Sequence, residues 1–120
     1  MQTHRNKLGQ RVISAFGNSP MGYAFPASIG ASLASNKKRV ISINGEGSFQ
    51  INIQELQTLN YLKLPIKIFI LNNKGYGIIK QFQSLFLEKR FEATSKGYSS
   101  PNFKKIASAY NIQYFNIYNN

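Results

Sequence analysis

Two short runs of β-branched and apolar residues are the clearest pattern in this chain of 120 residues, and each is followed by glycine or asparagine. The first run covers residues 39–44, and the second, which is almost continuously apolar, covers residues 66–71. Runs of this kind bounded by turn residues predict strands, and a continuously apolar strand indicates cover on both of its faces. Residues 113–118 predict a third strand.

Apolar residues at intervals of three and four predict a helix after Pro101 and three further helices, over residues 23–35, 50–62 and 78–87. The helix over residues 23–35 is rich in small side chains, which predicts close packing against another element or a neighbouring chain. Pro26 suits the first turn of this helix, where its missing N–H leaves no hydrogen bond unmade. Asn52 and Glu55, three residues apart, match a capping box at the start of the second helix.

The alternation of strands and helices indicates a single domain that spans residues 1–120, with residues 1–20 as an extended lead-in. The stretch between the first two strands has the length of a strand–helix–strand crossover, so these strands are predicted to be parallel. The predicted class is α/β, with a parallel sheet covered by helices on both faces. Ligands of such sheets bind beyond the carboxyl ends of the strands, here residues 44–48 and 71–75.

The composition is strongly basic, with 15 Lys and Arg, 4 acidic residues and a net charge of +11. This charge suits nucleic acid, a membrane surface or an anionic cofactor as a partner, and a chain-wide bias toward Lys, Ile and Asn is the alternative. The lack of Cys and Asp and the single histidine, His4, exclude disulfides, thiolate zinc sites and a Ser-His-Asp triad within the chain. No run approaches the length of a membrane span and no secretory signal is recognisable, so a cytoplasmic location is expected.

The two strand ends carry residues that can bind phosphate and a hard cation. At the first end, Gly45 and Gly47 flank Glu46, and glycines allow a ligand to approach the backbone closely. The third glycine of a dinucleotide fingerprint is replaced by Gln50, and no Walker-type Lys follows. At the second end, asparagine and backbone carbonyl oxygens suit Mg²⁺ or Ca²⁺, with phosphate and water completing the coordination shell. The alternative is that the glutamate and the asparagines only form turns.

Several separated motifs, in the same order, resemble the thiamine diphosphate motif. They are Gly-Glu-Gly-Ser-Phe-Gln at residues 45–50, Ile-Gln-Glu-Leu at 53–56, Leu-Pro at 64–65 and Ile-Leu-Asn-Asn-Lys-Gly-Tyr at 70–76. Residues 19–31 and 80–86 are similar to the flanking segments of acetolactate synthase-like enzymes. The resemblance covers most of the chain. It implies the C-terminal, diphosphate-binding domain of a thiamine diphosphate-dependent enzyme, with an incomplete version of that fold.

The resemblance implies a Mg²⁺ site at three positions. Glu46 stands where the family has a metal-binding Asp, Asn73 matches an Asn that binds through its side chain, and Gly75 matches a residue that binds through its carbonyl. Glutamate is longer than aspartate by one methylene, and Mg²⁺ requires near-ideal coordination geometry. We therefore expect metal binding to be retained with an altered metal preference.

The same resemblance implies two sets of contacts with the cofactor. The residues of the diphosphate-binding set are Gly45, Gly47, Ser48, Asn73 and Gly75. Met21 matches the apolar residue that wedges between the two rings of the cofactor, and Ser19 and Met21 are expected to offer backbone groups to its aminopyrimidine. Core packing near a helix start is the structural alternative for Met21.

The resemblance also implies that the glutamate which activates the cofactor belongs to a pyrimidine-binding domain, and that residues 1–120 lack this domain. The chain is therefore expected to be inactive alone and to act with such a domain or subunit in a homo- or hetero-oligomer. The implied enzyme is an acetolactate synthase-like carboligase or decarboxylase, a transferase or lyase that acts on pyruvate or another 2-oxo acid. No catalytic residue is assigned within this chain.

Three alternative functions remain open. A carboligase with a keto-sugar nucleotide or an aldehyde as acceptor fits the same motifs, and so does a non-catalytic remnant or assembly domain. An RNA-binding module is the third, because residues 68–73 and 74–79 resemble the two RRM motifs. Those motifs belong on two neighbouring strands, whereas here they abut in one stretch, which disfavours RNA binding.

Overall fold

The computed structural model describes residues 3–118, so the first two residues of the predicted lead-in and the last two of the chain lie outside it. The elements are α1 (Ala24–Ala34), β1 (Val40–Gly45), α2 (Glu46–Gln50), α3 (Glu55–Tyr61), β2 (Ile66–Leu71), α4 (Gly77–Phe86) and α5 (Phe103–Ala109). The strands predicted over residues 39–44 and 66–71 are confirmed to within one or two residues. The helices predicted over residues 23–35 and 78–87 and after Pro101 are confirmed as closely. None of the helices in this part of the chain is long and apolar enough to cross a membrane.

β1 and β2 form a two-stranded parallel sheet, as the crossover length predicted. The strands stay in register over their whole length, up to the last pair, Gly45 with Leu71. The α/β class with a parallel sheet is therefore confirmed. In this register both strands stop side by side, which brings residues 44–48 and 71–75 to the same edge of the sheet.

The two faces of the sheet differ in their surroundings. On one face Ser42 and Asn44 are buried, and the Ser42 hydroxyl donates a hydrogen bond of 3.3 Å to the Ala24 carbonyl of α1. The other face, which we call the open sheet face, carries the exposed apolar side chains of Ile41, Ile43, Phe69 and Leu71. Among residues 3–118, helices thus cover one face of the sheet, whereas the apolar run of β2 predicted cover on both.

Three phenylalanine rings join the helices into one core. Phe49 of α2 lies between Phe25 of α1 and Phe103 of α5, with ring centroids 5.1 and 6.0 Å away. All three rings are buried, and the other buried apolar residues are Ile29, Leu56, Leu59, Leu64 and Ile66. This contact holds α5, near the end of the chain, against α1, near its beginning, so the core lies against the covered face of the sheet.

The helix predicted over residues 50–62 is shorter in the structure, where residue 50 ends α2, residues 51–54 form a turn and α3 begins at Glu55. The predicted capping box is wrong, because the side-chain amide of Asn52 donates to the Gly22 carbonyl at 2.8 Å and does not cap α3. The Glu55 carboxylate instead accepts a hydrogen bond of 2.9 Å from the Thr58 hydroxyl. A long-range hydrogen bond of Asn52 has replaced the local one that its spacing predicted.

The strand predicted over residues 113–118 is wrong. These residues form no regular structure, and Phe115, Ile117 and Tyr118 are 70%, 80% and 78% exposed. A strand needs a neighbour to pair its backbone groups, and in the described part of the chain this segment pairs with neither β1 nor β2. The side-chain pattern indicated strand propensity, but it carried no information about a partner.

Phe49→Ala removes the ring that links Phe25 with Phe103, and we expect it to lower the free energy of unfolding by about 3–5 kcal/mol. Chemical denaturation followed by circular dichroism measures this loss. Phe115→Ala changes a ring that is 70% exposed and serves as the matched control. Its effect should stay within about 0.5 kcal/mol, and equal losses for both variants would contradict the central position of Phe49.

Candidate functional site

The carboxyl ends of β1 and β2 bring together residues that are far apart in the sequence. Glu46 begins α2 directly after β1, and Asn73 and Gly75 lie in the loop after β2. The Glu46 side chain is buried, with the residue only 1% exposed. The two predicted loop tips therefore meet in space around one carboxylate.

The Glu46 carboxylate accepts hydrogen bonds from three directions. Its Oε1 accepts from the backbone N–H of Gly75 at 2.8 Å and from the Tyr98 hydroxyl at 2.9 Å. Its Oε2 accepts from the backbone N–H of Asn73 at 3.4 Å, which is long for such a bond. Since a carboxylate oxygen can accept about two hydrogen bonds, Oε1 is saturated and Oε2 keeps acceptor capacity.

The charge of this carboxylate is stabilised by its donors. Burial acts to raise the pKa of Glu46, because the charged form loses its hydration. The hydrogen bonds from the Gly75 backbone, its own backbone, Tyr98 and the Asn73 backbone outweigh burial, and the pKa lies below its ordinary value of 4.5. Glu46 is therefore ionised at neutral pH.

The donor set at the two strand ends fits a hard divalent cation. Oε2 of Glu46 has room for another partner, and the adjacent loop offers the exposed amide side chain of Asn73 and the carbonyl of Gly75. Carboxylate, amide and carbonyl oxygens are the ligands that Mg²⁺ and Ca²⁺ prefer. No group of three His, Cys, Asp or Glu occurs among residues 3–118, so a cation here needs further oxygens from a ligand or water.

Gly47 lies directly beneath the Tyr76 ring, so any other residue there would require that ring to move. A Cβ added there would lie 2.2 Å from Cε1 of the Tyr76 ring. Tyr76 in turn packs edge-on against Tyr98, with ring centroids 5.0 Å apart. The missing side chain thus lets an aromatic pair close over the first strand end, whereas a Cβ at Gly45 would meet open space.

Ser48 connects the strand ends to the segment that precedes α1. Its Oγ accepts a hydrogen bond of 2.8 Å from the N–H of Gly22, and its own proton has no acceptor in the described part of the chain. Gly22 has a φ of +86°, and a Cβ there would lie 2.8 Å from the Asn52 amide.

Met21 is 41% exposed and lines an open groove of about 560 Å³ beside α1. Met21 is therefore a surface residue next to the site and not a core residue.

Ser19 makes only local contacts among the described residues. Its N–H and its hydroxyl donate to the Ala15 carbonyl, at 2.9 and 3.3 Å. The structure thus links Met21, through Gly22, to Ser48 and the strand ends, and it leaves Ser19 in the preceding turn.

The sequence analysis missed two aromatic residues of this site. Tyr98 follows Glu46 by 52 residues and lies in a loop, where no periodicity or spacing connects it with the strand ends. Tyr76 lies three residues after Asn73, in the loop after β2. Gly47 was the one available signal in the sequence, since a glycine often marks a place where another group comes close.

Because folding lowers the pKa of Glu46, the carboxylate stabilises the folded chain above pH 4.5, and this stabilisation is lost as the pH falls through the lower folded value. We expect the free energy of unfolding of Glu46→Gln to fall less steeply below pH 4.5 than that of the wild type. Denaturation at a series of pH values measures this difference. Glu88→Gln, at an exposed carboxylate, is the control and should follow the wild-type curve; a Glu46→Gln curve parallel to the wild type would contradict the assignment.

Comparison with known proteins identifies the family. Residues 1–120 match the family described as thiamine pyrophosphate enzyme, C-terminal TPP binding domain. The chain is 43% identical over 107 residues to the acetolactate synthase large subunit of Porphyra purpurea, covering 89% of this chain and 18% of that protein. It is 38% identical over 103 residues to the acetolactate synthase isozyme 2 large subunit of Escherichia coli strain K12, covering 86% and 19%.

A third relative, the acetolactate synthase large subunit of Lactococcus lactis strain IL1403, is 37% identical over 118 residues, which cover 98% of this chain and 20% of that protein. The chain thus spans about a fifth of the length of these curated relatives. Since the family match extends over the whole sequence, and the motif residues meet at the strand ends, the chain belongs to the thiamine pyrophosphate enzymes as a C-terminal TPP-binding domain.

Proposed function

We propose that residues 1–120 hold the diphosphate of thiamine diphosphate through a divalent cation, as one domain of an acetolactate synthase-like carboligase or decarboxylase acting on pyruvate or another 2-oxo acid. The observation that best supports this is the contact of the buried, ionised Glu46 with Asn73 and Gly75 of the neighbouring strand end. When bound, the cofactor supplies an electron sink for bond making and breaking beside a carbonyl. The part of this chain is to bind and orient it.

Mg²⁺ is the proposed cation, with the Glu46 carboxylate, the Asn73 side-chain oxygen and the Gly75 carbonyl as its ligands. Proteins commonly hold Mg²⁺ through one or two carboxylates together with phosphate oxygens. The site offers one carboxylate. Its single negative charge leaves a bound divalent cation with a net positive charge, which then attracts the diphosphate.

The surroundings of the cation site also suit a diphosphate. The Ser48 proton is available to a phosphate oxygen, and the backbone at Gly45 is open, since a Cβ there would meet nothing within 4 Å. Lys74 is exposed between Asn73 and Gly75. The net charge of +11 favours the approach of an anionic ligand in general.

Met21 is proposed to contact the rings of the cofactor. Two observations support this: Gly22, next to Met21, donates a hydrogen bond to Ser48 of the proposed diphosphate set, and the Met21 side chain lines an apolar groove. The backbone N–H of Ser19 already donates to Ala15, so the carbonyl is the backbone group that Ser19 has to offer.

The fold gives no support to the RNA-binding alternative. Residues 68–73 include the end of β2, whereas residues 74–79 form a loop and the start of α4. The stacking surface of an RRM needs both motifs on strands of one sheet. The two segments therefore cannot build that surface here.

The whole enzyme is proposed to include a pyrimidine-binding domain, in the same protein or in a partner subunit of an oligomer. The curated relatives are much longer than this chain, which covers 18–20% of the three described above. Apolar residues of α4 are more than half exposed, namely Ile78, Phe82, Leu85 and Phe86. These residues and the open sheet face are each the kind of exposed apolar surface that marks an interface.

Asn73→Ala is expected to weaken Mg²⁺-dependent binding of thiamine diphosphate by about tenfold or more, because the cation loses a proposed ligand. Calorimetric titration of the assembled protein, with and without Mg²⁺, measures this change. Asn116→Ala, at an exposed amide in the C-terminal segment, is the matched control and should bind like the wild type. Unchanged binding by Asn73→Ala would refute the metal assignment.

Residues 1–120 supplied with thiamine diphosphate, Mg²⁺ and pyruvate are expected to form no acetolactate, because the proposed activating glutamate lies on the pyrimidine-binding domain. Addition of that domain, or of the subunit that carries it, should start turnover, which a colorimetric acetolactate assay records. Turnover by the 120 residues alone would show that the activating group lies within this chain.

A further inference from the structure

The loop between α4 and α5 reaches over the two strand ends and brings Tyr98 to Glu46. The Tyr98 hydroxyl donates to Oε1 of Glu46 at 2.9 Å, across 52 residues of sequence. Tyr98 is half-buried and thus partly shielded from water. A residue outside the family motifs therefore touches the carboxylate that the proposed metal site needs.

The loop that carries Tyr98 is anchored to the two elements beside it. The Gln83 side chain of α4 donates to the Glu92 carbonyl at 3.0 Å and accepts from the Thr94 hydroxyl. The Thr94 carbonyl oxygen lies so close to Gly75 that a Cβ there would be 2.6 Å away. The loop is thus fixed both to α4 and to the second strand end, and these contacts determine where Tyr98 lies.

The Tyr98 ring is also fixed in orientation. It packs edge-on against Tyr76 at an interplanar angle of 81°, and Tyr76 lies over Gly47. Burial and the hydrogen bond to Glu46 raise the pKa of Tyr98 to about 12. The hydroxyl consequently keeps its proton at neutral pH and acts as a donor to the carboxylate.

We propose that Tyr98 is a positioning residue whose hydroxyl holds Oε1 of Glu46 and so leaves Oε2 as the oxygen that meets the divalent cation. The geometry on which this rests is the contrast between Oε1, with bonds of 2.8 and 2.9 Å, and Oε2, with one bond of 3.4 Å. This inference rests on the proposed function, because it takes Glu46 as a ligand of that cation.

The length of glutamate is central to this arrangement. An aspartate at position 46 would be shorter by one methylene, and its carboxylate would stop short of Tyr98. The effect of the Tyr98 hydroxyl on metal binding should therefore depend on a glutamate at this position. This dependence separates a role through Glu46 from a general role in folding.

The test is a double-mutant cycle in the assembled protein, with Mn²⁺ as the probe and electron paramagnetic resonance of free Mn²⁺ as the readout. Tyr98→Phe keeps the ring and removes the hydroxyl, and it should weaken Mn²⁺ affinity about tenfold, because a hydrogen bond to a charged group is lost. In the Glu46→Asp background the same change should have less than about a twofold effect. Tyr61→Phe, at a ring that is 79% exposed, is the matched control.

A second variant keeps the test decisive if Tyr98→Phe is less stable than the wild type. Replacement of Tyr98 by 4-aminophenylalanine restores a donor on the ring and should return Mn²⁺ affinity to within about threefold of the wild type. Three outcomes would overturn the role of Tyr98 and leave the metal site in place. They are failure of this rescue, unchanged Mn²⁺ affinity in Tyr98→Phe, and an equal loss of Mn²⁺ affinity in both backgrounds. Absence of Mn²⁺ binding by the wild-type protein instead overturns the proposed metal site.

Discussion

The buried charge of Glu46 is the constraint on which the rest of the site depends. An ionised carboxylate removed from water is destabilising by several kcal/mol unless donors replace its hydration. Here the donors come from the loop after β2 and from Tyr98 in the loop after α4. Displacement of either loop would remove part of the hydrogen bonding that stabilises this charge. The group proposed to bind the cation is therefore also the group that holds three segments of the chain together.

Two glycines allow neighbouring groups to pack closely against the backbone around Glu46. Gly47 leaves space for the Tyr76 ring, and Gly75 leaves space for the Thr94 carbonyl. A Cβ at Gly75 would clash with the Thr94 backbone, and a Cβ at Gly47 would require the Tyr76 ring to move. The glycines of the motif thus act through packing between loops in this chain as well as through access for a ligand. Such support by neighbouring groups is what keeps a binding site in a fixed geometry.

The features predicted well from the sequence are those with local causes. The β-branched runs and the length of the crossover predicted β1, β2 and their parallel pairing. The meeting of Glu46 with Asn73 was then predicted from the rule that ligands bind beyond the carboxyl ends of parallel strands, which lie at one edge of the sheet. The errors concern partners distant in sequence. Residues 113–118 have a strand-like pattern without a strand to pair with, and Asn52 bonds to Gly22 and not to its own helix. Tyr98 had no local signal, because its role depends on where a long loop folds back.

The open sheet face affects how such a protein can be made in a cell. Among residues 3–118, each strand of the two-stranded sheet has one unpaired edge, and the exposed face of that sheet carries Ile41, Ile43, Phe69 and Leu71. Unpaired edges and apolar surface together promote aggregation of newly synthesised chains. Residues 1–120 produced on their own are therefore expected to need chaperones or a solubilising fusion, independently of any effect on catalysis.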